Sequence, residues 1–300
     1  SFRCDNKDFY LLKKYFKKSQ TIFIQWGKTI DGYLRHNKEK NGNFFVDQMY
    51  LFGEETAKEF SKFIKGNTYS IGSMPNNKLI FTQKIKKNTL IFISQFKIDR
   101  KLPNIEKLIL FFLKDYCQKN QIYLRISTRI LNNNIDGKKV YEEILGKSGW
   151  DYLPRKSFGP DGDYDAYKEV MLSECVVSID STLGYEALSR KKKIAFFSLG
   201  STSVEWSKKN YILNEKTSEF YQPTPYGFPL SLPSEGEFWT SFFNLKKMSE
   251  ILDFLRDISQ EDWLKLLEKY KTEKIIEFDQ NNKTLINNLK KIGVPLRLDL

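Results

Sequence analysis

Cysteine is scarce in this chain and histidine scarcer still: among 300 residues there are three cysteines, Cys4, Cys117 and Cys175, and a lone histidine, His36. The cysteines stand far apart and form no C-x-x-C pair, so neither a disulfide framework nor a cysteine-based zinc site is expected. No run approaches the roughly 18 apolar residues that span a bilayer, the longest pieces being of the kind Leu108–Leu113. No secretory signal opens the chain, so a cytoplasmic protein is expected; because it starts at Ser1, truncation stays open. No stretch repeats at a period of roughly 20 to 50 residues, and none is of low complexity. An Asp-x-Asp triplet after a strand is also missing. Asp161-Gly162-Asp163 and Asp163-Tyr164-Asp165 fall in a turn, where carboxylates serve as turn and cap residues, and no metal site is expected.

What the chain has is positive charge and apolar mass. Its formal charge is +12, and 40% of its residues are hydrophobic and 15% aromatic, enough to bury a substantial core. Such a charge attracts acidic partners: nucleic acid, an anionic membrane face or phosphorylated substrates. The lysines are scattered through amphipathic segments and no nucleic-acid module is recognisable, so nucleic acid is excluded as a partner. At ~150 residues per domain, the length suggests one large or two medium domains.

A β-α-β rhythm runs along the chain. Residues 8–18 read as a basic amphipathic helix, 21–25 as a buried strand, 47–52 as a strand, 54–64 as a helix and 69–73 as a strand. A polar stretch rich in Pro, Asn and Lys follows and reads as a linker. A second series begins with strand 89–94, helix 104–120, strand 122–126, a short helix 140–145 and a helix 164–173. Prolines between 223 and 233 mark an irregular segment, and helices are expected at 245–256, 261–270 and 281–291. The domains expected are therefore 1–75, a linker at 76–88, a larger unit at 89–260 and C-terminal helices at 261–300. Strands alternating with helices imply parallel sheets, an α/β fold class.

The organising stretch is Val176-Val177-Ser178-Ile179-Asp180-Ser181-Thr182-Leu183-Gly184-Tyr185-Glu186-Ala187-Leu188-Ser189-Arg190, followed by Ile194–Phe197. It reads as strand, tight turn, helix, strand. Asp180, Ser181 and Thr182 are helix-capping types, and Leu183, Ala187 and Leu188 recur at helical spacing. At the carboxyl edge of a parallel sheet, such a helix start offers backbone N–H groups to a phosphate. Glu186, one turn into the helix, can share the face of Ser181 and Thr182, where a sugar diol would lie beside the phosphate. An equally open reading makes Ser181 or Thr182 a plain N-cap and Glu186 a solvated residue pairing with Arg190.

Together with Ile24-Gln25-Trp26-Gly27, Phe52-Gly53-Glu54, Ile71-Gly72-Ser73, Asn76-Asn77 and Ile93-Ser94-Gln95, that stretch resembles bacterial surface-carbohydrate biosynthesis proteins of the O-antigen type. These are glycosyltransferases of the two-Rossmann GT-B fold, distantly similar to capsule 3-deoxy-octulosonate transferases, polysialyltransferases and polyol-phosphate polymerases. The resemblance spans roughly residues 21–240. It implies two Rossmann-like domains, the N-terminal one incomplete at ~75 residues, and a helical C-terminal tail.

The resemblance further implies that the C-terminal domain holds a nucleotide-activated sugar donor, with Ser181 and Thr182 at its phosphate and Glu186 on its ribose, Asp180 and Gly184 being counted in the same donor-binding turn and helix. It adds the loop at Ser94-Gln95, and Arg125, Arg129 and Lys156 as basic candidates. Ile126-Ser127-Thr128-Arg129 lacks the His-Pro pair of some relatives, and Trp26 stands where distant relatives carry the histidine of Gln-His-Gly. Asp31 or His36, in the loop that follows, is then the candidate general base, a solvated loop histidine being the plainer alternative for His36. The implied reaction is metal-independent transfer of a sugar, a CMP-sugar such as CMP-3-deoxy-octulosonate being the best guess, to a hydroxyl of a lipid-linked or polysaccharide acceptor. No tightly bound cofactor is expected. The alternatives are polyol-phosphate transfer from a CDP donor, or a non-catalytic nucleotide-sugar or glycan-binding protein. Peripheral contact with the anionic inner face of the cell membrane is a further reading, through Lys13, Lys14, Lys17 and Lys18 beside Phe9, Tyr10, Tyr15 and Phe16, the favoured alternative being that these aromatics pack on the sheet.

Overall fold

The computed structural model describes residues 14–16, 18–27, 44–62, 64–82, 84–95, 104–131, 135–155, 160–198, 212–214, 219–221, 232–233, 235–242 and 244–295. Two compact units result, one formed by residues 1–80 with 265–300 and the other by 81–264. No helix among the described residues is long and apolar enough to cross a membrane.

The first unit is built on three parallel strands, β1 (Ile22–Ile24), β2 (Phe44–Leu51) and β3 (Ile64–Ser70), in the order β1-β2-β3. Central β2 is buried on both faces, as a parallel strand must be, with Met49 and Tyr50 both fully enclosed. Helix α1 (Glu54–Ser61) sends Ala57 and Phe60 into a cluster with Phe23, Val46, Met49, Leu51 and Ile64. The expected continuation of this helix to Ile64 fails because Ile64 opens β3. A short helix α2 (Met74–Lys78) follows.

Residues 265–300, expected as part of a separate tail, group instead with this N-terminal unit. Leu285 packs with Tyr50 and Ile71, and Leu289 joins the same cluster. The polar stretch expected as a linker from 76 begins inside the packing: Asn76 and Asn77 are completely buried. Asn77 Nδ2 donates to Ile71 O at 2.7 Å and to Asn282 Oδ1 at 2.9 Å, its Oδ1 accepts from Asp279 N at 3.1 Å, and Asn282 Nδ2 donates to Met74 O at 3.1 Å. Two glycines permit the approach. A Cβ on Gly53 would lie 2.4 Å from Lys274 O, and one on Gly72, whose φ is +67°, 2.1 Å from Glu277 O.

The second unit holds a six-stranded, wholly parallel sheet of β4 (Lys86–Ile93), β5 (Tyr123–Leu131), β6 (Trp150–Arg155), β7 (Ser173–Ser178), β8 (Ile194–Phe197) and β11 (Trp239–Thr240). Two short strands, β9 (Ile212–Asn214) and β10 (Glu219–Tyr221), pair with each other. Helices α3 (Asn104–Lys119), α4 (Ile135–Leu145), α5 (Pro160–Leu172), α6 (Thr182–Ser189) and α7 (Leu245–Asp257) belong to this unit. Helix α8 (Gln260–Lys269) starts here, burying Trp263, and the last helix among the described residues is α9 (Lys283–Lys291).

The sheet order is β6-β5-β4-β7-β8-β11. Counted from β4, that is the order of a doubly wound Rossmann sheet, whose ligands sit at the switch point where the order reverses. Here the switch lies between β4 and β7, paired at Ile93 and Ser178. Strand β6, unanticipated from sequence, is an edge strand containing Pro154, a place where the missing N–H breaks no ladder.

Candidate functional site

The switch point brings together two segments singled out in the sequence. Ser94 and Gln95 follow β4 directly, and Ser178 ends β7 before the turn Ile179–Ser181 and helix α6. Both are therefore at the carboxyl edge of the second sheet.

Each segment is held from behind by buried polar groups. Ser94 N donates to Ser127 O at 2.9 Å, and Ser94 Oγ shares a hydrogen bond of 2.6 Å with Tyr141 Oη, which also reaches Thr128 Oγ1 at 3.4 Å. Burial and the nearby Glu106 carboxylate push the Tyr141 phenol far above its ordinary value, so it remains a neutral hydrogen-bonding group. Gln95 N donates to Glu106 Oε1 at 2.8 Å, and Glu106 itself is buried. The loop after β4 is thereby tied to α3 and α4.

At the second segment Ser181 occupies the N-cap position in extended backbone, yet its side chain makes no capping bond. Ser178 closes the turn instead, its Oγ accepting from Ser181 N at 3.2 Å. Gly184 N then donates to Ser181 O at 2.9 Å. Leu183 N–H, in the first turn, has no intrahelical acceptor, the usual state of a helix start and the physical basis of anion binding there. Gly184 is fixed by packing: a Cβ would stand 2.5 Å from Ser178 Oγ and 2.7 Å from Ser178 Cβ, so helix and strand touch only because the side chain is absent.

Other expectations need correction. Tyr185 Oη donates to Asp180 Oδ1 at 3.1 Å while its ring lies 4.9 Å from that of Phe196. Asp180 is thus tethered to α6. Arg125, expected near the donor phosphate, is buried at the opposite, amino edge. Its guanidinium pairs with Glu169, lies 3.5 Å from Asp151 Oδ2 and donates to Ser173 Oγ at 3.1 Å. Arg129 lies on β5 beyond Ser127, toward the carboxyl edge, and is exposed. Glu186 is only 3% exposed, so the solvated reading of it fails; its charge is felt at Arg190, one turn on, where burial nevertheless lowers the guanidinium pKa. Asp31, His36 and Lys156 lie outside the described residues.

Sequence reasoning missed Ser178, Tyr185, Glu106 and Tyr141 as determinants of this edge. Ser178 had a local signal, a serine at a strand end three residues before the N-cap. Glu106 and Tyr141 had none, since their contacts are tertiary. Farther along the edge, Ser198 Oγ donates to Ile179 O at 3.1 Å, and buried Ser241 Oγ, one residue past β11, has no hydrogen-bond partner among the described residues. Among the described residues no group of three or more His, Cys, Asp or Glu side chains could hold a metal ion.

Solved structures resembling the chain include the wall teichoic acid polymerase TagF (TM-score 0.45, 12% identity over 82% of this chain and 58% of that one). TarM is similar at TM-score 0.45 and 12% identity, over 92% of this chain and 50% of that one. MnaA from S. aureus, solved with UDP, matches at TM-score 0.45 and 10% identity, over 96% of this chain and 78% of that one. The chain thus spans between half and three fifths of the first two. No curated protein matches it by sequence. A family profile described as "putative O-antigen biosynthesis protein" matches residues 22–107 and 101–293, nearly the whole chain, and the protein belongs to that family.

Proposed function

We propose that the protein is a glycosyltransferase of GT-B type that binds a nucleotide-activated sugar at the switch point of its second unit. The sugar passes to a hydroxyl of a lipid-linked or polysaccharide acceptor in surface-glycan assembly. The observation that carries this reading is the coincidence of Ser94-Gln95 with the Ser178–Glu186 turn and helix at one carboxyl edge, within a chain of an O-antigen biosynthesis family.

In this reading the α6 N-terminus, with the Ser181 and Thr182 hydroxyls, holds the donor phosphate, and Glu186 takes the ribose hydroxyls. The departing nucleotide gains negative charge, and the helix start stabilises it through backbone N–H groups already oriented by Ser178 and Gly184, without reorganisation as the bond breaks. Arg129 adds positive charge from β5. Asp31 or His36 accepts the acceptor's proton. Metal-independent chemistry and a CMP-sugar donor, such as CMP-3-deoxy-octulosonate, complete the reading. Transfer of a polyol phosphate from a CDP donor would use the same phosphate site.

Titration calorimetry with CMP, UDP and GDP sorts the donor class, and product detection with a lipid-linked or lipopolysaccharide acceptor tests transfer. Binding of CMP with transfer of its sugar is expected. Nucleotide binding without any transfer would leave the protein a binder, and no nucleotide binding at all would refute the reading.

A further inference from the structure

At the amino edge of the second sheet, opposite the switch point, lies a cavity of about 700 Å³. Of its fifteen lining residues, seven are lysine or arginine and one, Glu174, is acidic. Strands β4, β7 and β8 all begin here, at Lys86, Ser173 and Ile194, and run away from it in parallel. The six residues of β7, at ~3.3 Å each, separate it from the Ser178 turn by about 20 Å. The two places are distinct.

Part of this charge has a structural occupation. Lys192, 5% exposed, donates from Nζ to Met171 O at 2.9 Å, and Lys193 Nζ to Ile258 O at 2.5 Å. Each cation satisfies a carbonyl at a helix end, where the dipole favours it. Glu174 is engaged by Asn88 N at 2.6 Å and by Lys87 Nζ at 3.6 Å. What remains is excess cation: Lys168 and Lys191 line the same cavity and form no ion pair among the described residues. Arg190 closes one side, its guanidinium 4.9 Å from the Phe81 ring. Phe81, Ile85, Met171 and Leu172 supply an apolar wall.

A buried ammonium, unpaired lysines and an apolar wall in one concavity suit a ligand bearing a compact, multiply charged anion on an apolar or aromatic body. We propose that this cavity is a second ligand site, independent of the donor site, which takes the phosphate or diphosphate of an organic phosphate ester. Lys168 and Lys191 meet the anion directly. Arg190 and Phe81 form the wall against its organic part.

The probes are sodium pyrophosphate, in titration calorimetry of the full chain, and phosphatidylcholine vesicles with and without phosphatidylglycerol, in sedimentation. The variant Lys168→Gln with Lys191→Gln changes two residues away from the switch point, and its thermal melt controls for folding. Pyrophosphate affinity is expected to fall roughly tenfold or more in that variant, since two charge-assisted hydrogen bonds are lost. Loss of pyrophosphate binding with vesicle sedimentation unchanged identifies a soluble phosphate ester. Loss of sedimentation as well, kept when Lys14→Glu and Lys18→Glu are introduced instead, identifies a lipid phosphate. No binding of either probe by the wild type, or pyrophosphate binding of unchanged stoichiometry and affinity after the Lys168 and Lys191 changes, overturns the proposal. Because nucleotide binding is read separately, its failure would leave this result standing.

Discussion

Gly184 and Lys192 show what single side chains decide at the two edges of the second sheet. Alanine at 184 gains up to ~1 kcal/mol of helix propensity, but its Cβ would overlap Ser178 Oγ, and overpacking of that kind costs about 1 to 3 kcal/mol. Overlap wins. Gly184→Ala should lower the unfolding midpoint and, by displacing the hydroxyl that holds Ser181 N, weaken nucleotide binding; a midpoint at or above wild type would show that the close approach is dispensable. Lys192 is a buried cation whose pKa burial lowers from 10.5 to about 8. A lysine depressed in this way destabilises the fold below pH 8, and that penalty fades as pH rises toward 10.5, where the unfolded chain also loses the proton. Lys192→Met should therefore stabilise the protein at pH 7 by about 1 to 2 kcal/mol, the desolvation relieved less the lost bond to Met171 O. The advantage should shrink between pH 8 and 10.5. Comparing variant with wild type cancels the tyrosines and cysteines that titrate in the same range, and an advantage that grows with pH would contradict the sign.

Among the elements, those whose cause is local were legible and those whose cause is tertiary were not. Strands β4, β7 and β8 announce themselves as short β-branched or aromatic runs because both faces are covered, and the turn into α6 follows from capping residue types. The resemblance, and not these patterns, set Ser94-Gln95 beside Ser178–Glu186 as donor-site segments. Edge strand β6 was not legible, because Pro154 argues against a strand except at an edge, and being an edge is a property of the sheet. Nor could Arg125 be placed, since a basic residue at the start of a strand and one at its end look alike in sequence. Asn76-Asn77 read as linker because asparagine is common in loops; the role of Asn77 is to bond a segment more than 200 residues away. Asn77→Leu should leave Ile71 O, Asn282 and Asp279 N without their partners and cost about 2 to 4 kcal/mol, seen as earlier denaturant unfolding. Protease sensitivity of residues 272–291 should rise in parallel. An unchanged midpoint would show the amide contacts to be incidental.

Across the whole molecule the formal charge is +12, and the proposed reading gives it two separable tasks, reaching a membrane and drawing in phosphorylated ligands. Tyr15 and Phe16 are 70% and 59% exposed beside Lys14 and Lys18, aromatic and cationic groups of the kind that settle at a membrane interface. Sedimentation with anionic vesicles should be strong at low salt, fade as ionic strength rises and drop on Lys14→Glu with Lys18→Glu, at about 1 kcal/mol per lysine. Equal binding to neutral vesicles would assign the charge to solubility alone. Whether the switch point of the second unit holds a nucleotide is decided by titrating CMP and inorganic phosphate against wild type and Glu186→Ala. A loss of about 2 to 4 kcal/mol in CMP affinity is expected, with phosphate affinity nearly unchanged, because the ribose bonds go while the α6 N-terminus stays. CMP affinity indifferent to the substitution, or equal losses for both ligands, would contradict the proposed reading.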